Sequence, residues 1–223
     1  MQLMENLLVM EAEAKSLLGL KDRSGERTLL QEMLKILKEA EYLFGARDVS
    51  YALLPPRITE CSYAQTYILY PLRMIRIYLT GDAATLPWLA ALELAHEVVH
   101  VLCPAGYGGA TVLEEGLAEY MSYKYVNREF GLTFGDNDPR YDAARREVTS
   151  LLAENEFVIK ELRTRQPVIS KIDEQLLVEA TGIELDRAKF LCTRFDSLPI
   201  PSLRARVTQD AQRFVRGLNS IWS

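Results

Sequence analysis

The chain has 223 residues, of which 48% are hydrophobic and 26% are charged, and its formal net charge at pH 7 is -5. This composition is typical of a globular protein, and the length suffices for one compact, two-lobed domain with a sizeable core. The acidic balance argues against a nucleic-acid partner, which would be expected to show a basic face.

The first part of the chain predicts two helices followed by β structure. Apolar residues at helical spacing predict one helix over residues 2–18 and a second from about Glu26 to Leu43. Residues 49–62 contain β-favouring side chains around a Pro-Pro pair that blocks a helix. Residues 73–80 alternate polar and apolar side chains, which predicts a strand. As an edge strand it could pair with an extended peptide, and an edge covered by the chain's own loops is the alternative.

The chemistry of the chain is concentrated in a His-Glu-x-x-His motif. Residues four apart on a helix share one face, with Cβ atoms about 5–6 Å apart, so His96 and His100 can bind one metal ion. Glu97 can then hold a metal-bound water and accept its proton as the general base. The chain has only two histidines and both are in the motif, so chance is a poor explanation. The alternative is a buried helix with two hydrogen-bonded core histidines.

The motif belongs to a strongly apolar helix, which indicates burial on most sides. We expect this helix to begin near Thr85, a candidate cap, with Pro87 in its first turn, and to end by Pro104. A thiolate at Cys103 could join the metal, but a small buried residue at a helix end is the favoured interpretation.

An acidic helix is predicted directly after the motif helix. Following a glycine-rich loop, Thr111-Val-Leu-Glu114 has the form of a capping box, and Glu115 and Glu119 share a face of the helix that it starts. If this helix returns antiparallel, Glu115 can be the third metal ligand, and Glu119 can accept a hydrogen bond from a ligand histidine. The alternative is an acidic first turn exposed to water.

Residues 96–100 together with Glu-Glu-Gly-Leu-Ala-Glu-Tyr at 114–120 resemble the gluzincin metallopeptidases, whose third zinc ligand is a glutamate on a second helix. The resemblance covers residues from about 74 to 125. It implies a zincin-like fold and hydrolysis of a peptide bond in a peptide or protein substrate. It also implies one zinc ion per chain, an outer-shell carboxylate and a general base. The matching residues are His96, His100 and Glu115 as ligands, Glu119 as the outer carboxylate and Glu97 as the base.

Two features depart from the family pattern. Fourteen residues separate His100 from Glu115, which is shorter than in many gluzincins. No later histidine is present to stabilise the oxyanion, so Tyr141 and Tyr107 are the candidates, with an arginine as a substitute and a packing role as the alternative. A catalytically silent zincin-like protein that binds partners or senses metal is therefore a second hypothesis. A protease that cleaves a repressor is a third, although no DNA-binding segment is visible.

The remainder of the chain is predicted to be helical, with helices at 139–153, 155–165, 171–180, 184–195 and 203–217. The predicted fold is thus α+β and mostly α. Residues 1–130 supply the first helices, the small sheet and the zinc-binding helices, and residues 131–223 form a helical C-terminal lobe. The last helix carries four arginines, which are typical of a solvated face. They are Arg204, Arg206, Arg213 and Arg216.

Several patterns predict a cytoplasmic protein. The longest apolar run, from Leu86 to Cys103, contains glutamates and histidines, so no membrane span is predicted. The N-terminus has no basic flank and does not resemble a secretion signal. Three widely spaced cysteines without a Cys-x-x-Cys pair are typical of free thiols in a reducing compartment. They are Cys61, Cys103 and Cys192. The oligomeric state is left open.

Overall fold

The computed structural model describes residues 29–102, 104, 109–133 and 138–199. The described part of the chain is mostly helical and contains one small sheet, which confirms the predicted α+β class. Short 3-10 turns connect several of its elements. The helices and strands in chain order are α1 (Leu29–Phe44), β1 (Ala52–Leu53), β2 (Arg57–Ile58), β3 (Gln65–Leu69), β4 (Met74–Leu79), α2 (Pro87–Leu102), α3 (Val112–Phe130), α4 (Pro139–Glu154), α5 (Val158–Arg165), α6 (Glu174–Thr181) and α7 (Leu185–Cys192).

The sheet is organised around β4. The strand β3 pairs with β4 in antiparallel orientation, with Gln65 opposite Tyr78 and Leu69 opposite Met74. The strands β1 and β2 pair with β4 in parallel orientation, one at each end of the strand. Because β3 occupies one side of β4 along most of its length, β1 and β2 share the other side.

The interpretation of residues 73–80 as an edge strand is wrong, because β4 is the central strand of the sheet. Its position depends on β3, which the sequence analysis did not predict. On the opposite side of β4, Pro55 and Pro56 separate β1 from β2. The uninterrupted edge of the sheet belongs to β3, since no strand within the described ranges pairs with its outer side.

One face of the sheet packs against α2. The buried residues of β4 alternate along the strand, and Ile75, Ile77 and Leu79 are at most 1% exposed. The register of β3 places Thr66 opposite Ile77 and Ile68 opposite Ile75. Because cross-strand partners point to the same face of a sheet, Thr66 and Ile68 also face α2.

The helices form a layer in which α2 packs against α1 and α3, and α3 in turn packs against α4. The close approach of α3 and α4 requires Gly116. A Cβ atom at this position would lie 2.6 Å from the carbonyl oxygen of Ala144 and 2.6 Å from Cγ2 of Val148. Any larger residue would therefore push α4 away from α3.

The segment that follows α7 holds the start of α3. The N–H of Val112 donates to the carbonyl of Thr193 at 2.9 Å, and the N–H of Phe195 donates to the carbonyl of Ala110 at 3.0 Å. These bonds bring the ring centroid of Phe195 to 4.5 Å from that of Tyr141, in the first turn of α4. The chain thus returns after α7 to the loop between α2 and α3.

Several predicted helix boundaries are corrected. Thr85 lies in the turn before α2 and donates its hydroxyl to the carbonyl of Asp82, so it does not cap the helix. The helix predicted at 184–195 ends at Cys192, because the next residues are extended and pair with the start of α3. The helices predicted at 155–165 and 171–180 begin later, at Val158 and Glu174.

Some predictions concern residues that the structure does not describe. The helices at 2–18 and 203–217, including the four arginines of the latter, lie outside the described residues, as does the part of the second helix before Leu29. The proposed boundary between residues 130 and 131 falls where α3 ends, and Gly131 has a φ of 67° there. Within the described ranges, every helix is too short or too polar to cross a membrane.

Candidate metal centre

Three side chains from α2 and α3 converge on one position. The Nε2 atoms of His96 and His100 are 3.4 Å apart. Glu115 reaches both, with Oε2 at 3.3 Å from Nε2 of His96 and Oε1 at 3.8 Å from Nε2 of His100. The antiparallel return that the sequence predicted for α3 delivers this carboxylate. These three residues form a group that could hold a metal ion.

The spacing of these atoms fits a tetrahedral ion. Zinc bonds to nitrogen and oxygen are about 2.0–2.1 Å, so two ligands of a tetrahedral zinc lie about 3.3–3.4 Å apart. The two shorter distances match this value, and the third requires a shift of a few tenths of an ångström. In addition, Oε2 of Glu115 is buried, and Nε2 of His96, at 3.3 Å, can donate to it only when that ring nitrogen is protonated. A buried carboxylate oxygen without a donor is costly unless a cation faces it. The residues therefore fit a divalent cation.

Each candidate ligand histidine is held by a second carboxylate. Nδ1 of His96 lies 2.9 Å from Oε1 of Glu119, and Nδ1 of His100 lies 2.8 Å from Oε1 of Glu114. A carboxylate partner assigns the proton of a neutral imidazole to Nδ1, which leaves the Nε2 lone pair for a metal. Both rings are thus oriented toward the shared position with Glu115.

Glu114 is a site residue that the sequence analysis missed. The expected capping box is half formed, since the Glu114 N–H donates to Oγ1 of Thr111 at 3.3 Å. The side chain of Glu114 does not return to the cap but turns inward to His100. A signal for Glu114 was nevertheless present in the sequence. Each ligand histidine needs a hydrogen-bond partner for its other ring nitrogen, and only one such partner, Glu119, was predicted.

The alternative of an acidic first turn exposed to water is wrong. Glu114 is only 2% exposed, and the side chains of Glu115 and Glu119 are each 13% exposed. Their charges are directed at the histidines rather than at solvent.

The carboxylates strongly favour positive charge on the two rings. Burial by itself would lower the pKa of His100, but the charges of Glu115, Glu114 and Glu97 outweigh it and raise the pKa to about 9. The pKa of His96 is likewise raised against the effect of burial, through Glu115 and Glu119. Burial would raise the pKa of Glu115, but the two histidines together lower it. In the metal-free protein, protons provide the positive charge that a metal ion would otherwise supply.

Glu97 lies on α2 between the two histidines but faces the sheet. It is 5% exposed, and its Oε2 accepts a hydrogen bond from the hydroxyl of Thr66 at 2.8 Å. The same hydroxyl lies 3.1 Å from the backbone carbonyl of Glu97. Among the described residues, no group donates to Oε1 of Glu97, so one oxygen of this carboxylate is anchored and the other is available.

Tyr141 is the only one of the two oxyanion candidates that falls within the described residues. Its ring centroid lies 6.0 Å from that of His96, in an edge-on arrangement. Burial and the charges of Glu115 and Glu119 raise the pKa of Tyr141, so its hydroxyl keeps its proton at neutral pH and can donate a hydrogen bond. Tyr107 lies outside the described residues.

The cysteines within the described ranges do not belong to the metal cluster. Cys61 donates to the carbonyl of Leu79 in the sheet, and burial raises the pKa of Cys192 to about 11. Cys103, the candidate additional ligand, lies outside the described residues.

Comparison of the chain with protein-family models, curated proteins and solved structures found no match. The functional interpretation rests on the geometry of the site.

Proposed function

We propose that the protein is a zinc-dependent metallopeptidase of the gluzincin type, with a zincin-like fold. The observation that carries this proposal is the combination of two features of α2. His96 and His100 share a metal-sized cluster with Glu115, and Glu97, which follows His96 on the same helix, has a carboxylate oxygen without a donor among the described residues. A site built only to hold metal would not need this carboxylate beside the ligands.

The chain's own residues can perform the proton transfers of peptide hydrolysis. A zinc ion bound to His96, His100 and Glu115 would lower the pKa of water toward about 7 and polarise the scissile carbonyl. Glu97 accepts the proton of the attacking water and then returns it to the leaving amine. The protonated hydroxyl of Tyr141, whose ring lies edge-on to His96, is the described candidate to donate a hydrogen bond to the developing oxyanion.

The edge of β3 provides a binding surface for an extended substrate. This strand lies beside α2, and its outer side has free backbone groups within the described structure. An extended peptide can add to such an edge by main-chain hydrogen bonds, which bind without selecting a particular side chain. Pairing with an extended peptide, which the sequence suggested for residues 73–80, is therefore assigned to residues 65–69.

The decisive experiment compares wild-type protein with Glu97→Gln, which keeps the size of the side chain but removes the base. We expect wild-type protein loaded with zinc to cleave members of a peptide library. Glu97→Gln should bind one zinc per chain but lose activity by about 10²- to 10⁴-fold, as is typical when a general base is removed. His100→Ala should lose both the zinc and the activity.

Two outcomes would contradict the proposal. Cleavage that survives in Glu97→Gln would belong to another residue or to a contaminant. Zinc binding by the wild type without cleavage of any peptide would instead support the catalytically silent metal-binding protein.

A further inference from the structure

We propose that Thr66 is a positioning residue for the general base, and that its hydroxyl holds Oε2 of Glu97 so that Oε1 is the oxygen that transfers the proton. This inference rests on the proposed peptidase function. It is carried by the 2.8 Å hydrogen bond between Thr66 and Glu97 and by the absence of any donor to Oε1 among the described residues.

The register of the sheet places Thr66 in contact with Glu97. Thr66 lies opposite Ile77, which is fully buried beneath α2, so its side chain points to the helix. Its neighbours Gln65 and Tyr67 point to the opposite face of the sheet. A shift of β3 by one residue would therefore remove the hydroxyl from the site.

This contact restrains Glu97 more strongly than a single hydrogen bond from a flexible donor would. The Thr66 hydroxyl lies within reach of two acceptors of the same residue, Oε2 and the backbone carbonyl of Glu97. A threonine side chain has few χ1 conformations in a strand, so the donor itself is well fixed. A long glutamate side chain that is held at one oxygen explores fewer positions, and small misplacements of a catalytic group reduce rates strongly.

A second glutamate on α2 also accepts a hydrogen bond from a threonine, but its contacts serve only to hold the helix on the sheet. Glu93, one turn before Glu97, accepts from both the N–H and the hydroxyl of Thr80, so both of its oxygens are engaged. Glu93 fastens α2 to the end of β4, with a donor on each of its oxygens. Glu97 receives a donor on one oxygen only among the described residues, which leaves the other oxygen open to a proton.

The test uses Thr66→Val, which keeps the shape of the side chain but removes the donor, and Thr66→Ser, which keeps the hydroxyl. Thr80→Val is the matched control, because it removes a hydroxyl donor to the other glutamate. We expect Thr66→Val to lower kcat by about 10- to 100-fold, with KM and zinc content unchanged. Thr66→Ser should restore most of kcat, and Thr80→Val should leave kcat unaltered. Thr66→Ala also removes the hydroxyl, without adding the methyl group that valine puts in its place.

The inference is overturned if Thr66→Val keeps the wild-type kcat, or if Thr80→Val lowers kcat as much. A structural measurement separates this failure from failure of the proposed function. In crystal structures of the purified variants, the Glu97 carboxylate should move in Thr66→Val and keep its wild-type position in Thr66→Ser. If the wild type cleaves no peptide, the peptidase proposal fails, and the position of Glu97 still decides whether Thr66 holds it. An unmoved carboxylate in Thr66→Val would overturn the inference in that case too.

Discussion

Titratable residues on the two sides of α2 have different kinds of hydrogen-bond partner. On the side that faces α3, His96 and His100 each meet a carboxylate, so the cluster attracts cations. On the side that faces the sheet, Glu93 and Glu97 each meet a threonine hydroxyl, which donates a hydrogen bond but does not neutralise the charge.

This difference separates two tasks on one helix. In the proposed enzyme, carboxylates behind the histidines would strengthen their binding to a metal ion, whereas the neutral donor behind Glu97 would fix its position without adding a charge. A cation in place of Thr66 would hold Glu97 equally well, but it would make the carboxylate a poorer acceptor for a proton. The predictions below test whether the two sides can be disturbed independently.

The largest expected effect concerns pH and acts only on the α3 side. In the metal-free protein the pKa of His100 rises from 6.5 to about 9, so the folded state holds this proton more tightly than the unfolded chain. The resulting stabilisation is complete below pH 6.5 and is lost as the pH rises through 9. We expect the free energy of unfolding of the metal-free protein to fall across this window, by an amount on the order of a few kcal/mol.

Zinc should remove most of this pH dependence. The metal requires neutral imidazoles, and the unfolded chain also holds few histidine protons above pH 6.5, so the stability of the zinc-loaded protein should change little over the same range. Urea unfolding at several pH values, with a chelator and with stoichiometric zinc, measures both slopes. His100→Ala should flatten the slope seen with the chelator. Parallel slopes with and without zinc would show that the cluster does not exchange protons for metal.

The second prediction removes the carboxylate that the sequence analysis missed. Glu114→Ala should lower zinc affinity by about 10- to 100-fold, because His100 loses the partner that orients its ring. Glu119→Ala should act similarly through His96. A competition titration with a chromophoric chelator measures both affinities, and Thr66→Val serves as a control from the sheet side of α2. Unchanged affinity in Glu114→Ala would mean that the hydrogen bond to His100 is incidental.

The smallest expected effect belongs to the sheet side. Glu93→Ala removes two hydrogen bonds and leaves the Thr80 N–H without its acceptor, which should lower the free energy of unfolding by about 1–3 kcal/mol. Thr80→Val removes only the hydroxyl donor and should cost less. Zinc affinity should be unaltered in both variants, as measured by the same competition titration. A loss of zinc affinity in Glu93→Ala would show that the two sides of α2 are coupled.

Local spacing was enough to predict that His96, His100 and Glu115 come together. The separation of His96 and His100 places both on one helical face, and the short connection to α3 makes an antiparallel return the simplest way to bring in Glu115. The same reasoning predicted most helices of the C-terminal half, because their caps and glycines are local signals. Examples are Asp138 at the start of α4 and Gly182 after α6.

The features that were missed depend on contacts between distant segments. Thr66 and Glu97 are 31 residues apart, and only the pairing of β3 with β4 brings them together. The strand β3 itself is partly exposed on both faces and lacks the clean alternation that identifies β4. The capping-box pattern correctly predicts that the Glu114 N–H bonds to Thr111. The contact of its side chain with His100, however, depends on the packing of α3 on α2.

The contrast between the two edges of the sheet has a practical consequence for handling the protein. Pro55 and Pro56 interrupt one edge, which prevents a long strand from pairing there. The edge formed by β3 has no such interruption, and its Tyr67 side chain is 53% exposed. No strand of the described ranges pairs with the outer side of β3, and an open edge is a template for pairing with a second copy of the same strand. Concentrated samples are therefore expected to self-associate through β3, and an extended peptide that occupies this edge should keep them monodisperse.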